Sequence, residues 1–242
     1  MKTLAIVQAR MGSSRLPGKV LMDLAGETVL ARVVRRASRA ALVDQVVVAT
    51  SWCPMDDAVV SECIRLGVDH FRGSESDVLD RYYRCAQKFS AGLVVRITAD
   101  CPLIDAALVD LTIASFRKEA CDYASNALVP GYPRGLDVEV FTMSALSRAW
   151  HDARKAYERE HVSPYLYEHP ELFRLVSVNA DCDHSDLRWT LDTVEDFELL
   201  RAIYARLRDG DNFRWEDVLQ IVEREPQLSL INSHVVQKAV QG

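Results

Sequence analysis

Residues 5–19 read Ala5-Ile6-Val7-Gln8-Ala9-Arg10-Met11-Gly12-Ser13-Ser14-Arg15-Leu16-Pro17-Gly18-Lys19. The stretch starts as an apolar strand, turns polar at Gln8, and becomes a loop with two glycines, two serines and three cations, Arg10, Arg15 and Lys19. A flexible cationic loop directly after a first buried strand suits a polyphosphate. Glycine permits close backbone approach, N–H groups can point at phosphate oxygens, and the cations neutralise charge. The spacing is not that of a Walker loop: five residues separate Gly12 from Gly18-Lys19, and Val20 stands where a Mg-binding Ser or Thr would be. It is not G-x-G-x-x-G either. The competing reading is a surface loop with solvated cations, but three cations so close to a strand end are hard to place without an anion.

Working outward, strand-like runs alternate with helical ones. Apolar β-branched runs fall at 4–7, 46–49, 68–71 and 93–97, with helical periodicity at 29–41, after Pro54, and at 78–89. Continuous rather than alternating runs fit strands covered on both faces. Strand–helix alternation at this spacing predicts an α/β fold, a mostly parallel open sheet with helices on both faces. Beyond residue 120 further strands are expected at 122–126, 136–141, 172–178 and 187–191. Helices are expected at 143–153, 158–167, 194–207 and 215–225, and the last 15 residues are ambiguous. No repeat, low-complexity tract or linker interrupts the chain, so residues 1–242 read as one domain.

The formal charge, 29 − 35 = −6, argues against a general nucleic-acid binder, which needs a basic face. A small anionic ligand remains compatible, because cations concentrate locally at 10–19. The start is too short for a signal peptide and no apolar run reaches membrane-spanning length, so neither a membrane nor a nucleic-acid partner is expected, and the location expected is cytoplasmic. The six cysteines form no C-x-x-C and no zinc spacing with His, and read as reduced packing residues.

In open parallel sheets, ligands bind outside the carboxyl ends of the strands. Besides the 10–19 loop, two stretches arrive there: Arg96 to Asp105, and Leu191-Asp192-Thr193-Val194-Glu195-Asp196. Asp100 directly follows a buried run, and a carboxylate fixed there is a suitable Mg²⁺ ligand. Asp105 is the better placed helix cap, which frees Asp100. Asp192 fits an N-cap with Glu195 completing a capping box, and on the residues alone the cap is favoured. Gly73-Ser74-Glu75-Ser76-Asp77 reads as a loop entering a helix, with Asp77 or Ser76 as cap. Asp137 and Glu139, two apart, share a strand face. They could meet ligand hydroxyls or a second metal, or simply face solvent. Arg134 could take a carboxylate or phosphate. His151 and His184 read as structural.

The pattern Ala9-Arg10 with Ser14-Arg15-Leu16-Pro17-Gly18-Lys19 resembles the nucleotide loop of the cytidylyltransferases that make CMP-activated sugars, such as CMP-Kdo synthetases. It is closer still to the spore-coat polysaccharide biosynthesis branch of that superfamily. Asp-Thr-x-Glu-Asp at 192–196 matches the CMP-Kdo synthetase pattern with Val194 for the usual Pro. Asp100 aligns with the first metal aspartate, although Ala99-Asp100-Cys101-Pro102 replaces Gly-Asp-Glu-Pro, which leaves the sugar open. The three motifs, in order, span most of the chain.

The resemblance implies a Rossmann-like, GT-A-like three-layer nucleotidyltransferase fold. It implies Mg²⁺-dependent transfer of CMP from CTP to a sugar acid or related small anionic or sugar-like acceptor, with release of pyrophosphate, for surface polysaccharide synthesis. Gln8, Ala9, Arg10, Gly12, Ser13, Ser14, Arg15, Lys19, Ser74, Asp77, Arg81 and Asp100 would bind the nucleotide. Asp100 and Asp192 would hold the metal and, with Arg10, Arg15 and Lys19, carry the catalysis. Arg134, Asp137, Glu139, Glu160 and His161 would bind the acceptor, the last two as the Glu-His pair of the sugar site. A homodimer is implied as well. The alternatives are a GT-A-type glycosyltransferase using a nucleotide sugar, which would release no pyrophosphate, and a non-catalytic nucleotide-binding protein.

Overall fold

The apolar run that opens the chain forms β1 (Thr3–Gln8), the middle of a seven-stranded sheet. The computed structural model describes residues 1–207 and 210–237. A 3-10 turn (Lys19–Leu21) and a small ribbon of β2 (Asp23–Leu24) and β3 (Glu27–Thr28) lead into α1 (Val29–Ala37). There follow β4 (Gln45–Ser51), α2 (Asp57–Leu66), β5 (Asp69–Gly73), α3 (Val78–Lys88), β6 (Leu93–Thr98) and α4 (Ala106–Glu119). The second half holds β7 (Tyr123–Ser125), β8 (Glu139–Thr142), α5 (Met143–Asp152), α6 (Ala156–His161), α7 (Pro164–Tyr167) and β9 (Leu175–Ser177). Helices α8 (Val194–Tyr204), α9 (Trp215–Arg224) and α10 (Gln227–Leu230) complete it.

The sheet order is β5-β4-β1-β6-β8-β7-β9, with only β8 antiparallel to its neighbours. The chain builds outward from β1 in one direction through β4 and β5, then returns to β1's other side with β6. The carboxyl ends of β1 and β6 therefore flank a topological switch point. Strand alternation splits the core. Ala5, Val7, Val95, Ile97 and Val140 pack under α1, α2 and α4, while Leu4, Ile6, Val94 and Phe141 pack under α3, α5 and α7. A third cluster joins α8 and α9 to Trp189, Leu191 and Leu103. The expected open, mostly parallel sheet with helices on both faces is present.

Helix starts follow side-chain chemistry. Thr28, Asp77, Asp105, Thr142 and Thr193 each accept a backbone N–H from the first turn of the helix they precede. Asp105 caps α4, which leaves Asp100 out of any cap. The cap of α8 differs from expectation: it is Thr193, with Asp196 completing the box, not Asp192 with Glu195. Asp192 therefore lies one residue outside the helix.

Three further expectations need correction. Residues 158–167 form two short helices, not one. The break is at Val162 (φ 73°, ψ −56°), where the Ser163 N–H bonds the His161 carbonyl at 2.9 Å, and Pro164 then starts α7. This is a γ-turn, a conformation a β-branched residue adopts only under strain, and the fully buried Val162 side chain holds it. Residues 187–191 form no ladder strand. They make a single bridge, Arg134 to Arg188, because Trp189 and Leu187 pair with Arg134 and the Leu191 N–H is taken by the Asp100 carbonyl at 2.8 Å. The strands expected at 136–141 and 172–178 shorten to β8 and β9. Asn126 binds the Val138 N–H and the Leu136 carbonyl in place of a strand partner. Within the ambiguous C-terminal segment, α10 ends at Leu230 and the chain continues to Gln237; residues 238–242 lie outside the described ones.

Gly135 is packed where a side chain has no room. Its φ is +105°, and a Cβ would meet the Trp189 carbonyl carbon at 2.6 Å and the Thr190 nitrogen at 2.7 Å, both backbone. Gly135→Ala is expected to destabilise the protein by at least about 1–3 kcal/mol, the usual range for a strained backbone residue. A urea midpoint equal to wild type would contradict this packing.

Candidate active site

The polar residues of the sheet lie on one face and at one end. On β1 the same-face series runs Leu4, Ile6, Gln8; on β6 it runs Val94, Arg96, Thr98. Toward the start of β8 it runs Phe141, Glu139, and on into the loop to Asp137. Each series is apolar where helices cover it and polar at the end they leave open. The result is a cleft of roughly 1420 Å³ outside the carboxyl ends of β1 and β6.

The opening loop forms one wall. The Met11 carbonyl accepts from the Ser13 and Gly18 N–H groups, both at 2.9 Å, and the Met11 N–H is held by Asp56 at 2.7 Å. Gly18 is left-handed (φ 73°, ψ 6°), a conformation natural to glycine, and it turns the chain so that Lys19 points inward. The Lys19 ammonium donates to Asp100 Oδ2 at 2.6 Å, Asp192 Oδ1 at 2.8 Å and the Leu191 carbonyl at 2.6 Å. Arg15 lies 2.9 Å from Asp192 Oδ2. Residues 19, 100 and 192 thus converge from three separate loops.

A second tier fixes Asp192. Arg188 donates to Asp192 Oδ2 at 2.8 Å and to both oxygens of the fully buried Asp196 at 2.9 Å. Asp196 also accepts from Asn232 at 2.8 Å and from the Asp192 N–H at 2.9 Å, while Gln237 accepts from Arg188 at 2.7 Å. Burial would raise the Asp192 carboxyl, but Lys19, Arg188 and Arg15 outweigh it and hold it at about 2. Burial would likewise lower the Lys19 ammonium, but Asp100 and Asp192 raise it above its ordinary value. Both charged forms are therefore the stable ones at neutral pH.

The far end of the cleft has different chemistry. Arg96 and Glu139 are direct cross-strand partners, 2.5 Å apart, and Arg96 Nε and Glu139 Oε2 are buried without a hydrogen-bond partner. Gln8 Oε1 beside them is likewise unpartnered. His161 and Glu160 line this end with Tyr157 and Tyr167. Burial, with Arg96 nearby, lowers the His161 imidazole below its ordinary value although Glu160 opposes the shift. Burial raises the Asp137 carboxyl.

Of the expected residues, Gln8, Ala9, Arg10, Gly12, Ser13, Ser14, Arg15, Lys19, Arg81, Asp100 and Asp192 line the cleft, as do Arg134, Asp137, Glu139, Glu160 and His161. Ser74 and Asp77 lie behind the wall. The Arg81 guanidinium donates to the Ser74 carbonyl at 2.5 Å, and Asp77 binds Arg159 through both carboxylate oxygens, one of them 2.5 Å from Arg159. Arg81 and Asp77 thus shape the wall, and the Arg159 clamp ties α3 to α6, which carries Glu160 and His161. Arg188 and Asn232 lie outside the site stretches singled out from sequence, and Asp196 and Arg96 lie inside them without an assigned role. For Arg96 a signal existed, a lone charge inside the run Leu93–Ile97; for Arg188 only its spacing of four and eight from Asp192 and Asp196 hinted at it.

Comparison with known proteins identifies the family to which this fold belongs. The cytidylyltransferase family model matches residues 4–223. An uncharacterized protein of Methanocaldococcus jannaschii is 38% identical over 99% of this chain and 98% of its own length. The spore coat polysaccharide biosynthesis protein SpsF of Bacillus subtilis is 33% identical over 92% of this chain and 95% of its own. A solved cytidylyltransferase from Leptospira borgpetersenii superposes with a TM-score of 0.92 at 32% identity, covering 98% of this chain and all of that one. With Lys19, Asp100 and Asp192 gathered at the switch point of the same fold, the chain belongs to the cytidylyltransferase family.

Proposed function

We propose that this protein transfers CMP from CTP to a sugar acid or a related polyhydroxylated acceptor, with release of pyrophosphate, in the assembly of a surface glycan. The observation that carries the reading is the convergence of Lys19, Arg15, Asp100 and Asp192 at the mouth of β1 and β6, next to a separate polar floor deep enough for a second substrate. One end suits a triphosphate and the other a hydroxyl-rich molecule. Among the described residues no group of three or more His, Cys, Asp or Glu could hold a metal ion. Two carboxylates suffice for Mg²⁺, which takes one or two of them together with phosphate oxygens and water. The donor set therefore fits that ion, with Asp100 and Asp192 as its ligands.

Arg10, Arg15 and Lys19 would receive the β- and γ-phosphates and stabilise the charge that builds as pyrophosphate leaves. Arg188 and Asp196 keep Asp192 oriented toward the cleft. The acceptor oxygen attacks the α-phosphorus in line, and the cleft's main contribution is to hold the two substrates in that geometry. Mg²⁺ would supply Lewis acidity at the phosphates and a lowered pKa for the attacking hydroxyl. Glu139, Asp137, Glu160 and His161 would position the acceptor, with Arg134 near any acidic group it carries. The proposal includes a cytoplasmic homodimer of one-domain subunits; among the described residues no helix is long and apolar enough to cross a membrane.

A pyrophosphate-release screen of four nucleoside triphosphates against acidic and neutral sugars should give a signal with CTP. Consumption of a nucleotide sugar without pyrophosphate would replace this reading with glycosyl transfer, and CTP binding without turnover on any acceptor would leave a binding protein. Asp100→Asn should lower kcat by about 10²–10³-fold in a protein that still folds, with a lower melting temperature because Lys19 loses a charged partner; full activity would remove Asp100 from the reaction. His161 should titrate below its ordinary value of 6.5 by NMR of its ring proton, and Glu160→Gln should lower it further, because the Glu160 charge opposes the shift. Being depressed, this group makes the folded state less stable as pH falls from 6.5 toward its folded value. A midpoint above 6.5 would contradict the burial of His161.

A further inference from the structure

Lys19 occupies the position between two carboxylates that a divalent ion would take. An ammonium has three donors, and here all three are used, on Asp100, Asp192 and the Leu191 carbonyl. The acceptors are used almost as fully. Asp192 Oδ1 is bound by Lys19 and Oδ2 by Arg15 and Arg188, while Asp100 Oδ2 is bound by Lys19. Among the described residues, Asp100 Oδ1 is the one oxygen of the four that faces no cation, and its contact is the Cys101 thiol at 3.6 Å. The charges also close. Lys19, Arg15 and Arg188 pair with Asp100, Asp192 and Asp196 in one connected set.

On the reading that this site binds CTP, we propose that Lys19 is an internal counter-ion that keeps free divalent metal out, so that the metal enters only together with the triphosphate. A bare dication would have to displace a fully bonded ammonium and would leave a neutral, half-buried cluster with two extra positive charges beside two guanidinium groups. A metal–triphosphate complex removes both obstacles. It carries net negative charge, brings phosphate oxygens as the remaining metal ligands, and offers Lys19 new acceptors as its ammonium leaves the carboxylates. The consequence is coupling: nucleotide and metal each strengthen the binding of the other by the same factor.

Mn²⁺ is the probe, with bound ion read by water-proton relaxation, which separates protein-bound Mn²⁺ from the Mn–CTP complex in solution. The full chain without nucleotide should bind Mn²⁺ weakly, and saturating CTP should tighten binding by about 5- to 150-fold, the usual range of coupling between sites. Lys19→Met, checked for folding by its melting curve, should bind Mn²⁺ more tightly than wild type when no nucleotide is present. Equal Mn²⁺ affinity of wild type with and without CTP overturns the proposal, as does a folded Lys19→Met protein with no gain. If that variant does not fold, Lys19→Gln, which keeps a hydrogen-bond donor but removes the charge, takes its place, and a folded Lys19→Gln protein with no gain in Mn²⁺ affinity overturns the proposal in the same way. Failure of wild type to bind CTP, seen by calorimetry, is a different result: it overturns the nucleotidyl-transfer reading and the coupling with it.

Discussion

A single ammonium group, on Lys19, draws three distant segments of the chain to one point. Its partners come from the loop after β6 and the loop before α8, and its own approach depends on the left-handed turn at Gly18. Charges brought this close outside bulk water are stable only as a matched set, since an unpaired member would meet the full cost of desolvation. The surrounding structure serves that requirement. The sheet places the three loops at one edge, Thr193 caps α8 so that Asp192 is left outside the helix, and Arg188 and Asn232 fix Asp196 beneath it.

The same edge of the sheet divides the work between two kinds of polarity. Around Lys19 the groups are charged, close and paired. Around Arg96 and Glu139 they include buried atoms with no partner, Gln8 Oε1 among them. Such atoms are costly in a folded protein unless another molecule completes them. The paired set suits a highly charged ligand that rearranges existing ion pairs; the unpaired set suits a molecule that donates and accepts several ordinary hydrogen bonds.

Much of this was legible in the amino-acid order because it is local. The run Leu4–Val7 and the β-branched stretches fix a parallel sheet, and the position of Asp105 as a cap freed Asp100 for other work. Asp192 was harder. Its neighbours Thr193, Glu195 and Asp196 all favour a helix start, and only a one-residue shift of the cap separates a structural aspartate from one that meets Lys19. Arg188 and Asn232 could not be found in advance, because their partners are set by how α8 and the C-terminal segment pack. The break at Val162 had one sequence signal, Pro164, which cannot continue a helix, whereas the γ-turn at Val162 that precedes it depends on packing around its buried side chain.

The reversed direction of β8 has a consequence of its own. Its neighbours deliver their last residues to the ligand edge, whereas β8 delivers its first, so Glu139 is preceded there by the long connection from Asn126 to Val138. That connection is pinned by Asn126 at its start and by Arg134 and Gly135 against residues 187–190 near its end, so only its middle can change without disturbing the charged cluster. The rim on the β8 side is thus open to variation at its middle, while the cluster of Lys19, Asp100 and Asp192 on the other side stays in place.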